Sequence, residues 1–126
     1  PVMTLKTTVS TIKIYPAGTP VSYGGIYVTD KTTRMGVLPY GYADGFFRCL
    51  SNKCQLITNA GPAKQLGKIC MDMCMLDLDD VEAAEGDTVV IFDEENTVEN
   101  IAKICGTIPY EILTSVPRRI ERVIVK

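Results

Sequence analysis

Gln55-Leu56-Ile57-Thr58-Asn59-Ala60-Gly61-Pro62-Ala63-Lys64-Gln65 reads as a hairpin. Two short strands, at 55–58 and 63–65, bracket a turn at 59–62 built from Asn, Gly and Pro. The same grammar extends in both directions. Upstream, residues 3–15 are rich in Thr, Val and Ile, with Val9, Ile12 and Ile14 giving the period-two stretches of a half-buried strand. Residues 16–20 turn the chain, and strands follow at 25–29 and 33–38, joined by a polar turn at Asp30-Lys31. Downstream, residues 73–78 alternate imperfectly, 88–92 form a short apolar run suited to a buried strand, and 122–125 form an edge-like strand. Helix is predicted once firmly. Asn96-Thr97 with Glu99 caps a run in which Val98, Ile101, Ala102, Ile104 and Cys105 recur at helical spacing, and Gly106 ends it. Residues 110–114 add a second helical turn after Pro109. Short strands separated by Gly and Pro turns predict a mainly β fold, a Greek-key-like β-barrel domain with one or two short helices.

The 126 residues suffice for one domain with a real core, so residues 1–126 read as a single domain. Apolar residues at 46% and charged residues at 22% exclude a disordered chain. A net charge of -2 provides no electrostatic footprint, so no nucleic-acid partner is expected. No apolar run reaches the roughly 18 residues that a membrane span needs. Pro1 in place of Met predicts an upstream segment. Five cysteines without a neat framework read as reduced thiols of a cytoplasmic protein rather than as a disulfide scaffold. Zinc sites favour CxxC pairs helped by histidine, and with no histidine in the chain no metal is expected. Acid–base chemistry must then use tyrosine, a carboxylate, lysine or a group from elsewhere.

Four segments mix glycines with aromatic or polar side chains too irregularly for plain core: Val21-Ser22-Tyr23-Gly24-Gly25, Gly41-Tyr42-Ala43-Asp44-Gly45, Ile69-Cys70-Met71-Asp72 and Ile108-Pro109-Tyr110-Glu111-Ile112. Read on its own, Tyr23 is a tyrosine packing its ring and bonding its hydroxyl at a turn. Asp44 is a turn carboxylate capping local amides. The acidic stretch 77–80 lacks the order of an EF-hand and reads as a solvated loop.

Taken together and in this order, the four segments resemble the C-terminal domain of the alanine racemase family, and the resemblance covers nearly the whole chain. It implies a pyridoxal 5'-phosphate enzyme interconverting L- and D-alanine, with an N-terminal (β/α)8 barrel, absent from this chain, that carries the cofactor lysine. It also implies a head-to-tail homodimer in which this domain closes the barrel mouth of the partner. Two bases on opposite faces of the substrate would exchange its α-proton, Tyr23 serving the L-enantiomer. A tyrosine of pKa about 10 needs nearby positive charge to act as a base at pH 7, and that charge is expected from the barrel. By the same resemblance the backbone N–H of Met71 binds the substrate carboxylate and Asp72 supports its loop. Tyr42 and Arg48 line the channel that admits substrate, and Tyr110 reaches the cofactor phosphate. Two positions depart from the family pattern: Lys68 stands where many relatives carry arginine, which removes a planar fork from the channel mouth. Pro109 stands where asparagine is usual. The isolated domain is expected to be inactive. The alternatives are a serine racemase, as the cytoplasmic part of a membrane-anchored protein, and a non-catalytic β-barrel interaction module.

Overall fold

The computed structural model describes residues 3–22, 24 and 26–124. Within them lie seven strands and two short helices: β1 Leu5–Thr8, β2 Thr11–Tyr15, β3 Thr33–Leu38, β4 Gln55–Thr58, β5 Gly61–Leu66, β6 Cys74–Asp77, β7 Thr88–Phe92, α1 Val98–Cys105 and α2 Pro109–Thr114. The strands pair antiparallel in the order β1-β7-β4-β5-β6-β3-β2. Strands β4, β5 and β6 run consecutively and β7 returns to lie beside β4, which is the Greek-key order. The mainly β expectation therefore holds, as do the hairpin β4–β5, the strands β3 and β7, and helix α1.

One expected strand divides in two. Residues 3–15 were expected to form one strand, but β1 pairs with β7 while β2 pairs with β3, at opposite ends of the sheet order. Only Val9 and Ser10 separate β1 from β2. Val9 exchanges bonds with Asp87 and Gly86, and Ser10 N–H donates to Val37. Two residues reach only about 7 Å, so the sheet must curl until its ends nearly meet. The curl makes a half-barrel whose interior is the main core.

The imperfect alternation of residues 73–78 has a matching cause. Cys74, Leu76 and Leu78 face the main core, while Met75 packs on the other side with Val21, Met35 and Leu66. A strand buried on both faces loses the apolar–polar period. That second face is covered by the segment around Val21, for which a strand at 25–29 was expected. The chain there makes one isolated bridge, Pro20 to Val28, and Gly25 lies outside the described residues. The expected strand at 122–125 is also absent from its described part, since residues 121–124 are irregular; Val125 lies outside the described residues.

Helix α1 starts at Thr97, whose side chain accepts from Asn100 N–H, and ends at Gly106 with φ 69°. Its buried face is Val98, Ile101 and Ala102. Pro109 opens α2 at a position where a missing N–H costs nothing. A disulfide corrects the expectation of five free thiols: Cys49 and Cys105 are bonded, with Cα atoms 5.6 Å apart across 56 residues of sequence. Spacing could not show it, because the pairing arises only when the 3-10 turn Arg48–Leu50 packs against the end of α1. Cys54 and Cys74 are buried thiols. Among the described residues no helix is long and apolar enough to cross a membrane.

Burial has a consequence for pH. Desolvation pushes the Cys54 thiol up to about 12, and it raises Cys74 and Tyr40 as well. These groups hold their protons in the folded chain after the unfolded chain has begun to release them. Stability is then fully present below about pH 9 and falls as pH rises from there toward about 12. The expected slope is about 1.4 kcal/mol per pH unit for each such group. Urea unfolding at pH 8 and pH 10.5 tests this, and equal stabilities at the two values would contradict it.

Candidate functional site

Three of the four singled-out segments converge on one another. The loop after β5 carries Gly67 to Met71 and is the common partner. On one side, Ser22 Oγ donates to the Lys68 carbonyl at 2.8 Å and lies 3.0 Å from Cys70 Sγ. Ser22 has φ 64°, a left-handed conformation for a residue with a side chain. On the other side, Tyr42 N–H donates to the Cys70 carbonyl and Ala43 N–H to the Met71 carbonyl, both at 2.9 Å. Gly41 permits this approach: a Cβ there would sit 2.2 Å from the Cys70 oxygen.

The exposed side of this junction carries the expected site residues. Met71 is 56% exposed and, among the described residues, its N–H donates to no acceptor while its carbonyl is engaged. Tyr42 is exposed, and the Arg48 guanidinium lies 5.5 Å from the centroid of its ring. Such a contact at the surface contributes roughly 0.5–1 kcal/mol and fixes the two side chains relative to each other. The end of the Lys68 side chain rests against Gly24, where an added Cβ would lie 3.3 Å from Nζ. A positive charge thus sits one residue from Tyr23 in sequence, which the local sequence did not suggest. Tyr23 itself lies outside the described residues.

Asp44 acts as the structural carboxylate expected of it. It is buried, accepts from Gly41 N–H at 2.9 Å and pairs with Arg119. Arg119 also donates to the Ala43 carbonyl at 2.9 Å, so the C-terminal segment ties down the Tyr42 turn. Asp72 is exposed, and its side chain makes no hydrogen bond among the described residues. The loop is supported instead by Ser51, Asn52 and Gln65, which sequence reasoning passed over. Ser51 Oγ accepts from Ile69 N–H at 2.9 Å, and Gln65 is fully buried with both amide ends bonded. A glutamine at period two from Ala63, on the face that alternation assigns to the core, was the available signal, since a buried amide needs partners.

Tyr110 stands apart from this junction. Its ring is 72% exposed on the first turn of α2. The other end of α2 does reach the junction, because Ser115 O would lie 2.6 Å from a Cβ on Gly45. Five residues of helix place Tyr110 about 7.5 Å along the axis from that contact. The acidic stretch is more structural than a solvated loop: Asp79 accepts from Arg34 N–H at 2.8 Å and pairs with Lys31 at 3.5 Å. Among the described residues no group of three or more His, Cys, Asp or Glu side chains could hold a metal ion.

Comparison with known families shows which family the chain belongs to. The family model described as alanine racemase, C-terminal domain, matches residues 2–124. The chain belongs to the alanine racemase C-terminal domain family. Within that family, it is 46% identical to a curated alanine racemase of Thermodesulfovibrio yellowstonii, over 97% of this chain and 35% of the relative. The solved alanine racemase of Streptomyces coelicolor is 37% identical with a TM-score of 0.91, over 98% of this chain and 33% of that one. The Bartonella henselae alanine racemase, solved with covalently bound pyridoxal phosphate, is 31% identical with a TM-score of 0.90, over 95% of this chain and 34% of that one. This family member therefore spans about a third of the length of the relatives it matches.

Proposed function

We propose that this chain forms one wall of the active site of a pyridoxal-phosphate-dependent racemase interconverting L- and D-alanine. The observation that carries the reading is the convergence of Ser22 and Gly24 and of the Tyr42–Ala43 turn on the Lys68–Met71 segment in a chain of this family. Tyr23 removes or returns the α-proton on the L face of the substrate. A lysine of the missing (β/α)8 barrel does so on the D face. The open Met71 N–H receives the substrate carboxylate; a backbone donor to a charged acceptor orients the substrate strongly. Tyr42 and Arg48 line the mouth, with Asp72 exposed beside Met71. Head-to-tail dimerisation brings this wall to the partner's barrel.

Pyridoxal phosphate, when bound, supplies the electron sink that makes the α-proton removable. The fit of this chain to it is partial, and its size supports that division of labour. The partly open pocket among Tyr40, Phe46 and Ile112 holds only about 10 Å³, too little for the cofactor ring to enter the core there. What the chain offers it is the exposed phenol of Tyr110, a single donor suited to one phosphate oxygen.

The test is racemisation of L-alanine and L-serine by the longer polypeptide loaded with pyridoxal phosphate, with the 126-residue chain as control. Cofactor-dependent turnover of L-alanine in preference to L-serine, with none from the short chain, is the expected result. Faster turnover of L-serine would change the substrate, and a loaded, folded polypeptide that racemises neither would leave the interaction module as the better account. Activity of the short chain alone would overturn the division between domains.

A further inference from the structure

We infer that Asn52 is a positioning residue that holds the Tyr23 segment and the Met71 loop in register with each other. The inference rests on the racemase reading above. Asn52 has φ 63°, a conformation that asparagine tolerates better than most residues with a side chain. Its backbone N–H donates to Gln65 Oε1 at 2.9 Å, and Gln65 Nε2 donates in turn to the Leu66 and Gly67 carbonyls at 2.9 and 3.0 Å. Asn52 Oδ1 accepts from Gly67 N–H at 2.5 Å. Both polar groups of Gly67 are thereby claimed by side-chain amides, one from Asn52 and one from the fully buried Gln65. Gly67 is the root of the loop that presents the open N–H of Met71, four residues on.

The remaining end of the Asn52 amide points the other way. Nδ2 donates to the Ile26 carbonyl at 3.4 Å, three residues beyond Tyr23. One side chain therefore touches the backbone of both segments, and it does so at a different point from Ser22, whose Oγ donates to the Lys68 carbonyl. Because a hydrogen-bonded amide is rigid and short, its loss removes one of two ties and lets the two backbones pivot about the other, at Ser22. A shift of about 1 Å between reacting groups can cost up to a hundredfold in rate.

Two substitutions separate the arms. Asn52→Gly keeps the left-handed backbone and removes both side-chain bonds. Asn52→Asp keeps an acceptor for Gly67 N–H and replaces the donor to Ile26 with an oxygen. Both are made in the longer, cofactor-loaded polypeptide and assayed with α-deuterated L- and D-alanine. The equilibrium constant of a racemisation is 1, so kcat/KM must fall equally in the two directions; the isotope effects show which segment has moved. Asn52→Gly is expected to lower kcat/KM about tenfold, to raise KM, and to raise the isotope effect from the L side while lowering it from the D side. Asn52→Asp should reproduce the isotope change with a KM near wild type. Variants that are folded but keep the wild-type KM and isotope effects would overturn the inference while the racemase reading stands, even if they melt earlier. A wild-type polypeptide that does not racemise would overturn both.

Discussion

Tyr23→Phe, in the longer polypeptide loaded with pyridoxal phosphate, is expected to lower racemisation by roughly 10²–10⁴-fold, the range a positioned acid or base contributes. The sharper result concerns the two enantiomers. Phenylalanine keeps the ring and its packing and removes the one group that can carry a proton on the L face. Exchange of the α-proton of L-alanine with D₂O should collapse, while exchange from D-alanine, served by the other base, should persist with retention of configuration. A tyrosine that merely bonds at a turn would behave differently, lowering both exchanges together through a lost hydrogen bond or leaving both intact. Equal exchange from the two enantiomers in the variant would therefore remove Tyr23 from the reaction.

Gly41→Ala should have the largest effect on the folded chain. The backbone at Gly41 is extended, with φ -147° and ψ -162°, so alanine brings no intrinsic strain there. The obstacle is the loop opposite. The new methyl would sit 2.2 Å from the Cys70 oxygen and 2.7 Å from the Met71 carbonyl carbon and oxygen, all of them backbone atoms. Relief requires the two segments to part, and parting breaks the bonds from Tyr42 N–H and Ala43 N–H. Overpacking costs about 1–3 kcal/mol and each of the two hydrogen bonds about 1 kcal/mol, giving about 3–5 kcal/mol in all. For a domain of this size that lowers Tm by on the order of 10 °C. Gly18→Ala is the control, because Gly18 has φ 83° but open space around it. It should cost only the left-handed strain, about 1–2 kcal/mol. Thermal melts that show Gly41→Ala no worse than Gly18→Ala would mean that the contact between the two segments carries little energy.

The legible parts of this chain share a feature: their signal is local. The β4–β5 hairpin, with its strand β5 starting at Gly61 inside the expected turn, the apolar run 88–92 and the Thr97 to Gly106 caps of α1 were legible because each depends on residues within one strand or one helical turn. The candidate site was legible in another way. Its glycines and aromatic residues stand out because a plain core does not use them in that pattern. What was misread depends on distant partners. Residues 3–15 look like one strand, and they divide only because β7 and β3 claim different halves. Residues 25–29 have strand composition, yet in the described part Tyr27 packs against the cluster of Met35 and Met75 and Val28 makes one isolated bridge. Cys49 and Cys105 gave no sign of each other across 56 residues.

By itself, then, the sequence determined the strand-rich class, the main helix with its caps, and the segments that carry chemistry, since propensity, turn chemistry and capping act over a few residues. Only the tertiary structure decided that three of those segments meet along the loop from Gly67 to Met71, that Asn52, Gln65 and Arg119 help hold them there, and that Tyr110 is exposed on the first turn of α2. The reason is physical: a buried amide or a backbone carbonyl takes whichever partner folding brings within about 3 Å, and that partner is chosen by the curl of the sheet rather than by its neighbours in the chain.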